Sequence, residues 1–279
     1  MSTADISAVF IQTKEIAVST EQPTNTQKVI LSRDDRGVAT LCLNRPEVHN
    51  AFDDDIISQM IDHLNSIAAD PQIRVLVLRS NGKNFSAGAD LNWMRRMADN
   101  NRQENLEDAG RLAELMRALN DMPQATIALV QGAAYGGAVG LAACCDMVVA
   151  CNDSSFCLSE VKIGLIPAVI SPYVVRAIGE RQARRYFLTA EAFSSSQAQK
   201  FGLVHEMVDS EEKLDEAKER LLKPLLNNSP KAVSAAKQLV FAVSNKPTDS
   251  AVIADTAERI ADIRVSEEGQ EGLSAFLNK

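Results

Sequence analysis

Apolar positions along this chain change period several times, and the changes predict alternating strands and helices. Val29 to Ser32 and Val38 to Leu43 flank the polar turn Asp34-Asp35-Arg36-Gly37, the pattern of a hairpin. Ile56, Ile57, Met60, Ile61, Leu64 and Ile67 then share one stripe, which predicts a helix over Asp53 to Ala69 closed by Asp70-Pro71. Val75 to Leu78, Thr126 to Val130 and Met147 to Ala150 are unbroken apolar runs, as in strands buried on both faces. Ala138 to Cys145 reads as a helix of small residues. Leu91 to Asp121 is highly charged, with helical spacing only near its end, so its first half reads as mobile. Beyond Gly202-Leu203-Val204 the strand pattern stops, and Glu211 to Asn227, Ser229 to Val243, Ser250 to Val265 and Glu267 to Leu277 read as successive helices.

This order predicts the α/β class, with a helical appendage after the sheet-forming part. Three segments follow: a flexible N-terminal extension over 1–27, rich in Ser, Thr and Gln; a core over 28–206; and a helical region over 207–279.

Composition narrows the chemistry. Of 279 residues 46% are hydrophobic, enough for a large core, and 37 acidic against 29 basic side chains give a net charge of -8. That balance disfavours nucleic acid as a partner, because a phosphate backbone is held by clustered cations. No apolar run reaches membrane length and the leader carries no cleavage pattern, so the expectation is a cytoplasmic protein without a membrane partner. The five cysteines, Cys42, Cys144, Cys145, Cys151 and Cys157, form no CxxC pair and read as reduced packing residues. His49, His63 and His205 lack metal spacing, so no metal is expected.

Two backbone-rich segments carry the chemistry: Phe85-Ser86-Ala87-Gly88-Ala89-Asp90 and Gly132-Ala133-Ala134-Tyr135-Gly136-Gly137-Ala138. Each joins an apolar strand to a helical run and leaves main-chain N–H groups bare. Such amides stabilise the charge that develops on a carbonyl becoming an enolate, without side-chain reorganisation.

Leu43-Asn44-Arg45-Pro46 with Asn50-Ala51-Phe52, Ala87-Gly88-Ala89-Asp90, Gly136-Gly137 before Cys145-Asp146, Phe156 to Glu160 with Ile163-Gly164-Leu165-Ile166-Pro167, and Glu271-Gly272-Leu273-Ser274-Ala275-Phe276 occur in this order. On these motifs the chain, from about 28 to 279, resembles the crotonase, or enoyl-CoA hydratase/isomerase, superfamily. The resemblance implies a crotonase-like spiral of ββα units and a C-terminal helical region that forms homotrimers or dimers of trimers. It implies acyl-CoA thioester substrates, with coenzyme A as part of the substrate and no separate cofactor. By position, the amides of Ala89 and Gly137 would bind the thioester oxygen and Glu160 would be the acid/base. Arg45, Asn50, Ala51, Ala87, Gly88, Asp90, Tyr135, Gly136 and Gly140 would border CoA and acyl group, with Lys83 a further phosphate contact, and Phe276 and Lys279 would approach the CoA of a neighbouring subunit.

Glu160 follows the apolar Phe156-Cys157-Leu158, and such surroundings raise a carboxyl pKa toward the range useful for proton transfer. Read without the resemblance, an exposed turn glutamate paired with Lys162 is the preferred reading. Asp90 stands directly before Leu91-Asn92-Trp93 and reads as a helix cap. Trp93 is either packing or an acyl contact.

One departure stands out. Hydratases of this superfamily carry a second Glu where this chain has Gly140, so a two-carboxylate scheme does not transfer whole. Either Glu160 serves water and the α-carbon alone, with the space left at Gly140 taking a branched acyl chain, or it is a lone proton shuttle of a double-bond isomerase. Phe85 to Met94, Gln131 to Ala134, Phe156 to Val161 and Pro167 to Pro172 further resemble bacterial methylglutaconyl-CoA and isohexenylglutaconyl-CoA hydratases, which favours hydration. Those substrates end in a second carboxylate, for which Arg95, Arg96, Arg111 and Arg117 are the candidate cations and Tyr135 a further candidate donor.

Overall fold

The computed structural model describes residues 27–278. The expected extension over 1–27, apart from Gln27, and the expected CoA contact Lys279 lie outside the described residues.

The chain opens with the predicted hairpin, β1 (Val29–Arg33) and β2 (Val38–Leu43), antiparallel with Leu31 opposite Leu41. Helix α1 (Asp54–Ala69) follows, with Asp53 as its N-cap accepting from the Ile56 N–H. Then come β3 (Val75–Ser80), α2 (Leu91–Asp99), α3 (Arg102–Asn120), β4 (Ala125–Val130), β5 (Ala133–Tyr135), α4 (Gly137–Cys144), β6 (Met147–Cys151) and β7 (Ser155–Cys157). Next are α5 (Ser171–Thr189), β8 (Phe193–Ser194), α6 (Ser195–Phe201), β9 (Glu206–Val208), α7 (Glu212–Asn227), α8 (Pro230–Val243), α9 (Ser250–Val265) and α10 (Glu267–Leu277).

Strands β1-β2-β3-β4-β6-β9 form one sheet in that order, parallel throughout except for the opening hairpin, and β5-β7-β8 form a second. The continuous apolar runs are explained by burial on both faces. Leu76 and Leu78 face the large cluster that includes Ile57, Met60 and Leu64 of α1, whereas Val75 and Val77 face a second cluster with Leu214, Ala217 and Leu222 of α7. Helices α8, α9 and α10 bury no residue in the single chain. Lys237 of α8 ties this region to the core through Asp146, at 2.9 Å.

Two expectations are corrected. The first half of 91–121 is helical: α2 is capped by Asp90, and α3 begins with a capping box formed by Asn101 and Glu104. These starts rest on side-chain caps, which apolar periodicity does not register. The strand pattern also does not end at Val204, because β9 adds to the edge of the main sheet beside β6. Its three residues are too few to show an alternation. All five cysteines are buried and free.

Candidate active site

The two glycine-containing segments are joined to each other and to the loop after β2. Ser86 N–H donates to the Ala133 carbonyl and Tyr135 N–H to the Ser86 carbonyl, each at 3.0 Å. On the other side, Phe52 N–H donates to the Gly88 carbonyl and Asp90 N–H to the Phe52 carbonyl, at 2.9 and 3.0 Å. In this parallel bridge the partners of Phe52 flank Ala89, so the Ala89 N–H stays outside the ladder. Gly137, the first residue of α4, has no carbonyl four residues back within its helix, and its N–H sits at the positive end of the helix dipole.

Gly136 precedes it at φ 55°, a left-handed conformation that disfavours any side chain. A Cβ there would also lie 3.3 Å from Glu160 Oε1, which places the carboxylate directly beside the glycine turn. At Gly137 a Cβ would meet Phe52 Cζ at 2.6 Å. This glycine is therefore required by the Phe52 ring, a reason beyond the close approach of substrate.

Glu160 opens a short 3-10 turn, Glu160–Ile163, after β7. Its Oε2 is buried with no hydrogen-bond partner among the described residues. Burial pushes the carboxyl above its ordinary value of 4.5, because the charged form loses water and the hydrogen bond from its own backbone N–H offsets that only in part.

Ala89, Gly137 and Glu160 all border one cavity of about 290 Å3. Phe52, Trp93, Met97, Leu112 and the segment Leu165–Ile170 supply most of its apolar wall, and Asn105, Asp108 and Ala109 of α3 its remaining side. Trp93 is both packing and wall: it is buried, and its indole N–H has no acceptor among the described residues. Asn105, Asp108 and Leu165–Ile170 were missed as wall residues from sequence. The only signal available was the i, i+3, i+4, i+7 spacing of 105, 108, 109 and 112 on α3.

Other expected contacts have different roles. The space expected at Gly140 does not exist: a Cβ there would meet Ile170 Cγ2 at 2.3 Å and Met116 Sδ at 3.2 Å, so packing of α5 and α3 against α4 fills it. Gly140 is no part of the cavity wall. Arg45 is not a free cation for phosphate; its guanidinium lies 3.2 Å from Asp90 and 3.6 Å from Asp53 and donates to the Ala51 carbonyl. Asn50 is buried, accepting from Arg45 N–H and donating to the carbonyls of Asn81 and Asn84, so it pins loops together. The Tyr135 hydroxyl pairs with Ser155. Ala87 is exposed, its N–H held by the His49 carbonyl, and Gly88 is buried behind it. Asp90 caps α2 through the N–H groups of Asn92 and Trp93. Arg95, Arg96, Arg111 and Arg117 do not reach the cavity wall: Arg95 pairs with Asn92, Arg96 with Asp54, and Arg111 with Glu114 and Ser58. Phe276 is exposed on α10 and Lys83 is exposed on its loop.

Paired main-chain donors beside a buried carboxylate, on a core of ββα units followed by helices, define an enzyme of the crotonase class. The chain belongs to the enoyl-CoA hydratase/isomerase family, whose sequence model matches residues 33–279. It is similar to the crystal structure of an enoyl-CoA hydratase from Shewanella pealeana, with 49% identity, a TM-score of 0.88, and coverage of 91% of this chain and 94% of that one. It is 34% identical to 2,3-dehydroadipyl-CoA hydratase of Escherichia coli over 90% of this chain and 96% of that protein. It is 32% identical to trans-2-decenoyl-[acyl-carrier-protein] isomerase of Streptococcus mutans over 77% of this chain and 82% of the relative. Among the described residues no helix is long and apolar enough to cross a membrane.

Proposed function

We propose that this enzyme hydrates the double bond of a 2-enoyl-CoA thioester, with Ala89 and Gly137 as the oxyanion donors and Glu160 as the acid/base. The observation that carries the reading is the position of Glu160 beside the Gly136-Gly137 turn, in the same cavity as the Ala89 amide. The Glu160 carboxylate accepts a proton from water as the water oxygen bonds to C3. The π electrons move toward the thioester, whose oxygen becomes an enolate oxyanion held by the two N–H groups. Glu160 then returns the proton to C2, so one carboxylate completes the cycle. Removing one such donor from an oxyanion site costs about 3 kcal/mol of barrier.

A second reading is supported by the filled space at Gly140. With no second carboxylate on α4, Glu160 could instead carry a proton between C2 and C4 of a 3-enoyl-CoA, which moves the double bond without adding water. Ultraviolet absorbance of the conjugated enoyl thioester separates the two. Its decay on mixing enzyme with crotonyl-CoA is the expected result. A rise from a 3-enoyl-CoA with no decay of crotonyl-CoA replaces hydration by isomerisation, and silence in both overturns the assignment.

The branched 3-methylglutaconyl chain has the resemblance as its support, and the cavity counts against its distal carboxylate, because no lysine or arginine among the described residues lines the wall. Assembly into trimers or pairs of trimers belongs to the same reading. Val240, Ile253, Ile260, Leu273 and Phe276 are exposed on helices α8 to α10, none of whose apolar residues is buried in the single chain. Phe276 and Lys279 would reach a neighbour's CoA only in such an assembly. A monomer in sedimentation velocity would overturn it.

A further inference from the structure

We infer that Asp108 is a specificity-determining residue of the acyl cavity, admitting uncharged acyl chains and rejecting chains that end in a carboxylate. The inference rests on the acyl-CoA reading above and deepens it.

Three observations converge. First, the polar groups on the cavity wall are Asn105, Asp108, Glu160 and the indole N–H of Trp93, and among the described residues no lysine or arginine lines it. Glu160 lies at the thioester end, beside the glycine turn. Asp108 lies on the face of α3 that also carries Ala109 and Leu112. Secondly, among the described residues Asp108 is in no ion pair; its carboxylate accepts only a long contact of 3.4 Å from the Asn100 amide. Its negative charge is therefore presented to the cavity without a cation to balance it. Thirdly, Asn105 is oriented with its donors turned away. Its Nδ2 donates to the carbonyls of Asn100 and Asn101, at 3.1 and 3.2 Å, which leaves its amide oxygen as the group free to face the cavity.

This side of the wall thus offers oxygen acceptors. A second carboxylate on the acyl chain, brought against this half-buried face of α3, would be set near a like charge with no cation among the described wall residues, the Trp93 indole N–H being the donor left to it. A methyl-ended chain meets none of these costs, and a hydroxyl end could donate to Asp108 or Asn105. The nearby arginines do not compensate, because Arg95, Arg96 and Arg111 are turned to Asn92, Asp54 and Glu114.

The test uses a matched pair, trans-2-hexenoyl-CoA and 2,3-dehydroadipyl-CoA, which differ at the chain end by methyl against carboxylate. Relative kcat/KM is measured for the full-length enzyme and for Asp108→Asn and Asp108→Lys. The expected result is a preference of at least about a hundredfold for the hexenoyl thioester in the parent. That preference should fall at least about tenfold in Asp108→Asn and further in Asp108→Lys. Dissociation constants of the saturated hexanoyl-CoA and adipyl-CoA, from calorimetry on the same three proteins, should show the same order without relying on turnover. Equal or better use of the dicarboxylic thioester by the parent overturns the inference, as does an unchanged ratio in both variants. If neither enoyl thioester is turned over, the catalytic reading fails and the calorimetric ratio alone decides the filter.

Discussion

Arg45 and Asp90 meet beside the Ala89 amide, with guanidinium and carboxylate 3.2 Å apart, both largely buried. The pair joins the loop after β2 to the start of α2, one residue beyond the Ala89 amide. Partial burial works against the charged carboxyl of Asp90, yet the N–H groups of Asn92 and Trp93 and the charge of Arg45 hold it below the usual aspartate range. Asp90→Ala removes cap and ion pair together and should cost about 1–2 kcal/mol in urea unfolding. Asp90→Asn keeps a capping oxygen and should cost less. Turnover should fall in the same order, because the Ala89 amide loses its support.

Glu160→Gln should lower crotonyl-CoA hydration at least about a hundredfold, the usual scale of acid–base catalysis. The same change should stabilise the fold. Burial raises the Glu160 pKa in the folded protein, so its stabilising contribution is fully present below the ordinary value of 4.5 and is lost as pH rises through the raised one. Near neutral pH the ionised carboxylate is a burden that glutamine relieves. The variant should melt higher than the parent at about pH 7, and the gap should close toward about pH 4. Equal melting temperatures at both pH values would contradict the burial argument.

The rate itself should rise with pH through an ionisation above the ordinary glutamate range, because the base must be charged to accept a proton from water. A pH profile of kcat/KM checks this, and loss of that limb in Glu160→Asp or its displacement would assign it.

Gly140→Glu, which restores the missing second carboxylate on paper, should not restore a second catalytic group. Its Cβ would press on Ile170, and overpacking of this kind costs about 1–3 kcal/mol before the buried charge is added. Ile170→Ala should recover part of that loss in the double variant. Urea midpoints of the three proteins measure it, and a Gly140→Glu enzyme as stable as the parent and faster would refute the packing.

Lys237 is almost fully buried where α8 meets the core, donating to Asp146 and to the Gln124 carbonyl. Lys237→Met should lower stability by about 1–2 kcal/mol, below the cost for a fully buried pair, because Asp146 keeps its bonds from Thr126 and some solvent. Denaturant titration checks the size.

Periodicity alone revealed α1, β2, β3, β4 and α7, because those elements bury a continuous stripe or run and each apolar side chain registers its own burial; α8 to α10 show the same helical spacing although none of their residues is buried in the single chain. The two glycine segments stood out in the sequence as stretches with bare amides, whereas Glu160 was singled out only through the resemblance; the structure brings Ala89, Gly137 and Glu160 to one cavity. Short or capped elements were not legible. Helix α2 depends on the Asp90 cap, β9 has only three residues, and Gly179 at φ 77° interrupts α5, so none announces itself by period. Which groups share the cavity was decided by tertiary structure alone. Ile170 is thirty positions from Gly140, yet it takes the volume that a missing side chain seemed to leave. Arg45, readable as a cation for phosphate, is neutralised by Asp90 and Asp53, and the polar wall comes from one face of α3. Local sequence determines what a residue can do, whereas through-space packing and charge pairing determine which of those capacities remains free.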